Sequence, residues 1–278
     1  MSWDSFAYLC RRAAHELGDA EPLSACFQRL SQAPSARLYG APPVADSLTA
    51  DLLARLVAEP DRDKALIALR AYAGMGQLSL VDRAMQFKRV LIYLGFVAVI
   101  FFFMSAIYQI KVLPTFIETF KAFDVPLPAS VFFLHEYWHV FSLSVLLLLL
   151  LALVIGLSLR RLMRLPMVAD RKLPLGFLLL PGIKRAYLSL QDILTFPLRP
   201  SLDSSSVIDT HLADIQRSGL DLGREMQIMS GIALQELVQQ CERQMRVISV
   251  AVALLVVANV LFFINSAYSP IFMLGEVV

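Results

Sequence analysis

Cysteine is scarce in this chain of 278 residues: only Cys10, Cys26 and Cys241 occur. Their spacing forms neither a CxxC pair nor a zinc ribbon, and all three fall on the side that the basic residues below assign to the cytoplasm, where thiols stay reduced, so buried free thiols are expected. Charge is scarce too, at 17% of residues against 57% hydrophobic, which is unlike an ordinary soluble domain. No GxxxxGK[ST] loop occurs, so the chain brings no P-loop for nucleotide energy. Strand signals are also missing, and an all-α fold is expected.

What the chain has in quantity is long charge-free runs. "VLIYLGFVAVIFFFMSAIYQI" runs from Val90 to Ile110, "VFSLSVLLLLLLALVIGLSL" from Val140 to Leu159, and "VISVAVALLVVANVLFFINSAY" begins at Val247. A helix rises about 1.5 Å per residue and the hydrocarbon core is about 30 Å thick, so about 20 apolar residues cross it, and each run suffices. Three transmembrane helices are expected: residues 89–110, 140–160 and 247–267. They separate an N-terminal helical domain (1–88), a short outer loop (111–139), a second helical domain (161–246) and a tail (268–278). The first 88 residues carry charges throughout and do not read as a cleavable signal, so the first span is expected to target the chain itself.

Lysine and arginine crowd one side. Arg70, Arg83, Lys88 and Arg89 precede the first span, Arg160, Arg161, Arg164, Arg171 and Lys172 follow the second, and Arg243 and Arg246 precede the third. Only Lys111 and Lys121 lie between the first two spans. The positive-inside rule therefore puts both helical domains and the N-terminus in the cytoplasm and the C-terminus in the periplasm.

Between the spans the patterning is helical. Trp3, Phe6, Leu9, Cys10, Ala13, Ala14 and Leu17 form one stripe with a stop at Gly18. "LTADLLARLVAEP" and "DRDKALIALRAYAGMG" form a helix pair broken at Pro60, and Ser79 with Asp82 resembles a capping box that starts the first membrane helix early. "LPLGFLLLPGIKRAYLSLQDILTF" is too interrupted to span and reads as a membrane-proximal entry followed by a helix. "VIDTHLADIQRSG" is a helix ended by Gly219, and the helix after it runs into the third span. The halves also echo one another: Ser105, Ala106, Tyr108, Pro114 and Phe116 after the first span match Ser266, Ala267, Tyr268, Pro270 and Phe272 after the third.

One motif invites chemistry. "HEYWH" places His135 and His139 on one helical face with Glu136 beside them, the pattern of a zinc metalloprotease. Its place before the second span, with Tyr137 and Trp138 as interfacial aromatics, reads instead as the start of a membrane helix, with the metalloprotease as the alternative. A zinc enzyme needs a third ligand, for which Glu118, Asp124 and Glu276 are on the correct side. A permease needs ionisable groups within its spans, and the three runs contain none. Asn259, in the third span, serves either a neighbouring helix or its own bundle.

The stretch "YQIKVLPTFIETFKAFDVPLPA" resembles the segment after the first membrane helix in the F family of type II secretion proteins and the related type IV pilus platform proteins. The resemblance lies in Pro114 and Phe116 leading to Leu127 and Pro128. "RSGLDLGREM" is similar to that family's Ser-Gly-x-x-Leu turn, here Ser218, Gly219 and Leu222, and "SAYSPIFMLGEVV" resembles its ending, through Tyr268, Pro270 and Phe272. The order of domains and spans agrees over nearly the whole chain, although each polar block, at about 85 residues, is shorter than the family usually has. The resemblance implies a non-enzymatic inner-membrane platform without cofactors or metals. The partners it implies are a hexameric cytoplasmic assembly ATPase, pilin-like subunits, other inner-membrane assembly proteins, further copies of itself and membrane lipid, and no nucleic acid.

Overall fold

The computed structural model describes residues 3–18, 21–39, 47–75, 87–122, 129–162, 179–199 and 206–277. Among them the chain is helical, without strands. Ten α-helices follow one another: α1 (Trp3–Glu16), α2 (Leu23–Gln32), α3 (Leu48–Ala58), α4 (Arg62–Gly74), α5 (Phe87–Ile107), α6 (Leu113–Ala122), α7 (Ala129–Leu162), α8 (Pro181–Thr195), α9 (Val207–Arg217) and α10 (Leu222–Val277). Short 3₁₀ turns at Pro34–Tyr39 and Phe196–Leu198 follow α2 and α8, and a π-helical turn, Tyr108–Val112, joins α5 to α6. The chain divides into a polar unit, Met1–Ala84 with Ser158–Glu242, and an apolar unit, Met85–Leu157 with Arg243–Val278.

Three helices are long and apolar enough to cross a membrane, within Gly95–Ala122, His139–Leu162 and Leu222–Ser266. The protein is therefore an all-α, polytopic membrane protein. The helices outrun the apolar stretches. The segment 111–139 carries α6 and the first turns of α7, and residues 268–277 continue α10. Helix persists past Pro114 although the ring has no N–H for the ladder, because the wider π turn just before it, closed by the Leu113 N–H on the Tyr108 carbonyl, absorbs the mismatch. The Thr115 hydroxyl donates to the Lys111 carbonyl (3.0 Å) and the Thr119 hydroxyl to the Thr115 carbonyl (2.8 Å), giving carbonyls of the turn and of α6 side-chain partners.

In the polar unit, short helices start and stop on local signals. Asp61 caps α4 by accepting from the Asp63 and Lys64 amides, directly after Pro60. α9 ends at Gly219, whose φ of 71° is the left-handed conformation glycine adopts without Cβ strain. Leu220 N–H then donates to Ile215 (3.2 Å) and Gly219 N–H to Gln216 (3.3 Å), the paired bonds of a Schellman stop. The α1 stripe is buried at Trp3, Phe6, Leu9, Cys10 and Ala13. Ser5, Ala7 and Tyr8 are buried as well, because α2, α3, α4 and the Pro34–Tyr39 turn enclose the first part of α1, while Ala14 is left exposed. Tyr8 stacks on Tyr39 at 4.2 Å and donates to the Ser35 hydroxyl at 2.7 Å.

The apolar unit packs Tyr108, Leu113 and Val131 against Ile117, Phe262 and Phe263. Tyr108 meets Phe263 edge-on at 4.6 Å, and Phe262 lies 5.3 Å from Phe141, so the turn after the first span is pinned to the third. The sequence echo is kept at its serines, with Ser105 (3% exposed) and Ser266 (0%) both buried. It parts at the tyrosines. Tyr108 follows its serine by three positions and stays on the buried face, whereas Tyr268 follows by two, turns to the opposite face and is 54% exposed.

Candidate functional site

The polar unit gathers two stretches separated in sequence by the first two apolar runs, and the seam between the stretches is its most specific feature. Leu52, Leu56, Ala65, Ala68 and Leu69 supply apolar contacts with no solvent exposure, each large side chain being worth about 1.5–3 kcal/mol. Onto this core α4 sets Tyr72, wholly buried, its ring edge-on to Phe6 at 5.2 Å. The Tyr72 hydroxyl donates to the Leu194 carbonyl of α8 at 2.8 Å, tying the N-terminal stretch to the second one. Burial raises the Tyr72 phenol well above its ordinary value, so it remains a donor throughout the physiological range.

Two residues further along α4, Gly74 meets Gly223 in the first turn of α10. A Cβ on Gly223 would stand 2.5 Å from the Ala71 carbonyl oxygen and 3.0 Å from the Gly74 Cα, so only glycine lets the two backbones touch. Asp221 caps α10 here, accepting from the Arg224 amide at 3.1 Å.

The second stretch also holds an ionic node. Arg199 donates through Nη1 to both oxygens of Asp209 (2.8 and 2.9 Å) and through Nη2 to Asp192 Oδ1 (2.7 Å) and the Asp192 carbonyl (2.8 Å). Asp209 is 3% exposed, so the guanidinium fork is what makes its burial tolerable. The node links the end of α8 to the start of α9 across residues 200–205. Nearer the surface, His211 Nε2 lies 2.9 Å from Glu225 Oε1, joining α9 to α10. Together these contacts tie α8 to α9 and α9 to α10.

The residues singled out from the sequence are divided between the units. Ser218 and Gly219 form the α9 stop and Leu222 is buried at the start of α10, all in the polar unit. Pro114 is exposed on α6 and Phe116 half-buried, while Tyr268 and Phe272 are exposed near the end of α10, with Pro270 inside that helix, all in the apolar unit. Leu127, Pro128, Ser79 and Asp82 lie outside the described residues. The "HEYWH" segment sits well inside α7, with Glu136, Tyr137 and His139 exposed. Among the described residues no three His, Cys, Asp or Glu side chains stand close enough to share a metal. Asn259 is 8% exposed and donates to the Leu255 carbonyl of its own helix at 2.8 Å. All three cysteines are buried free thiols.

Tyr72 and Gly223 carry the seam, while Arg199, Asp192 and Asp209 brace the second stretch, and none of the five was singled out from the sequence. Only the aspartate spacing around Arg199 offered a signal, and it is indistinguishable from ordinary surface charge. Among known proteins, no family model matches the chain, and no curated protein or solved structure is significantly similar to it.

Proposed function

We propose that the chain is an inner-membrane platform of a type IV pilus-like or type II secretion-like assembly machine. It couples a cytoplasmic ATPase to the lateral movement of pilin-like subunits. The observation that carries this reading is the joining of the two polar stretches in one compact unit, with membrane-length helices in the intervening and following sequence. Residues before the first span and after the second can share a unit only if they share a side of the membrane, as the platform topology requires. The basic residues at the span ends support the cytoplasmic side, and the motifs at Pro114, Ser218 and Tyr268 follow the family's order.

The mechanism is mechanical. A motor displacing the polar unit moves a body whose helices are locked by Tyr72, Gly223 and Arg199. α10 belongs by its first part to that unit and by its second to the apolar unit, so a push on one end is carried along a continuous backbone. Affinity purification in mild detergent with mass spectrometry tests the reading. Co-recovery of a hexameric assembly ATPase and pilin-like proteins is expected, and recovery of neither overturns it.

A further inference from the structure

Among the described residues of the apolar unit, three side-chain polar atoms are buried without a protein partner: the Tyr108 hydroxyl, Gln109 Nε2 and Ser142 Oγ. They fall at one level of the bundle. The Tyr108 ring lies 4.6 Å from Phe263, and Phe141, the neighbour of Ser142, lies 5.3 Å from Phe262, so the first two spans bring these atoms to the same turn of the third. Asn259 stands one turn earlier on α10, at an angle between those of Phe262 and Phe263, and is itself buried. One of its two amide N–H groups donates to the Leu255 carbonyl, which leaves the other and the amide oxygen for this level.

The local backbone does not satisfy these atoms. Ser144 bonds back to the Phe141 carbonyl at 2.8 Å, as Thr115 and Thr119 do to carbonyls four residues before them, whereas Ser142 makes no such bond. The Tyr108 hydroxyl stands at the far end of a rigid ring that is 3% exposed. A buried hydroxyl without a partner forfeits its bonds to water and gains nothing in exchange, and hydrocarbon offers no substitute. What can meet these groups is restricted by charge. No ionisable side chain occurs in the first apolar run or in the second, so an ion here would be uncompensated. The hydroxyls donate and accept and the amide nitrogens donate, so the set fits a small neutral molecule that does both, with two to four partners.

We infer that the three spans enclose a water site at this level, held between Tyr108, Ser142 and Asn259 with Gln109 beside it. The water gives polar groups on different helices a common partner in place of a direct bond. α5, α7 and α10 can then shift against one another while those groups stay solvated. The site belongs to the apolar unit alone and is independent of what the polar unit grips.

Two measurements on the full chain test it. In lipid nanodiscs, an X-ray pulse converts water to hydroxyl radicals that oxidise adjacent side chains, and mass spectrometry locates the products. Phe263, against Tyr108, is expected to be oxidised several-fold more than Phe101, which lies two turns before Tyr108 on α5 and is 8% exposed. Equal or lower oxidation of Phe263 overturns the site. In mixed micelles, Tyr108→Phe and Ser142→Ala each remove one oxygen and keep the rest of the shape. The readout is the sodium dodecyl sulfate fraction at which a cysteine placed at Val145, 1% exposed, becomes reactive, followed on its own peptide so that the native thiols do not contribute. Each substitution is expected to lower that midpoint, and the pair to lower it by less than the two shifts added, because the oxygens share one partner. An unchanged or higher midpoint in either single variant shows its hydroxyl to be dry and overturns the site.

Discussion

Replacing Gly223 with alanine and replacing Gly231 with alanine, on the same helix, should have opposite effects. A methyl at residue 223 must fit 2.5 Å from the Ala71 carbonyl oxygen and 3.0 Å from the Gly74 Cα, and both obstacles are backbone. Forcing an extra carbon into such a contact costs about 1–3 kcal/mol. Alanine recovers up to ~1 kcal/mol of helix propensity in a helix interior, and less in the first turn where Gly223 lies. The net loss is about 1–2 kcal/mol. In a unit of this size each kcal/mol moves the melting temperature by about 2–4 °C, so Gly223→Ala should melt roughly 2–8 °C lower. At Gly231 nothing lies within 4 Å of an added Cβ, so the same change gains propensity alone, about 1 kcal/mol, and melts higher. A thiol-reactive fluorogenic dye reads both variants in the purified full chain, because Cys10, Cys26 and Cys241 are all buried in the polar unit and become reactive when it unfolds. Equal melting of the two variants, or a gain at Gly223→Ala, would refute close backbone contact between α4 and α10.

The Arg199 node gives a larger effect: Arg199→Ala takes the guanidinium away from the carboxylate of Asp209, 3% exposed, and should cost about 3–5 kcal/mol in the same melting assay. Adding Asp209→Asn to that variant should recover much of the loss by removing a buried charge that no cation neutralises through the fork; no recovery would show the node to be incidental. Stability should also fall in alkali. Burial raises the Cys10 thiol above its ordinary value of 9.0 and the Tyr72 phenol above 10.0, so the folded state keeps protons that the unfolded state releases. This contribution is complete below pH 9 and lost as pH rises, by about 1.4 kcal/mol per group one unit above its ordinary value. Urea unfolding followed by circular dichroism should show a midpoint decline beginning near pH 9, and a Cys10→Ser variant should show a shallower one.

Strong, local signals were readable from the sequence. Apolar runs long enough for a bilayer need no tertiary context, and they became the three membrane-length helices. Pro60 and Gly219 stopped helices where a fixed φ or a left-handed turn requires it. The expected continuation of α10 into the third span likewise needed only an unbroken helical pattern. Pro114 was less legible, because whether a proline ends a helix depends on the turn before it, here a π turn with the Thr115 hydroxyl on its Lys111 carbonyl. The seam of the polar unit was not legible at all. Tyr72 and Leu194 stand 122 residues apart, and Gly223 looks like any glycine until the backbone it touches is placed opposite it. Asp192 and Asp209 resemble solvated charges until Arg199 reaches between them.

Side-specific labelling of the polar unit probes the topology most directly. Leu38 and Val207, 84% and 85% exposed on the two stretches of that unit, can each be replaced by cysteine while the native thiols stay buried. A membrane-impermeant maleimide should leave both sites unlabelled in cells with an intact inner membrane and label both in inverted vesicles. Labelling of Leu38→Cys and Val207→Cys from opposite faces of the bilayer would contradict the shared unit and the platform built on it.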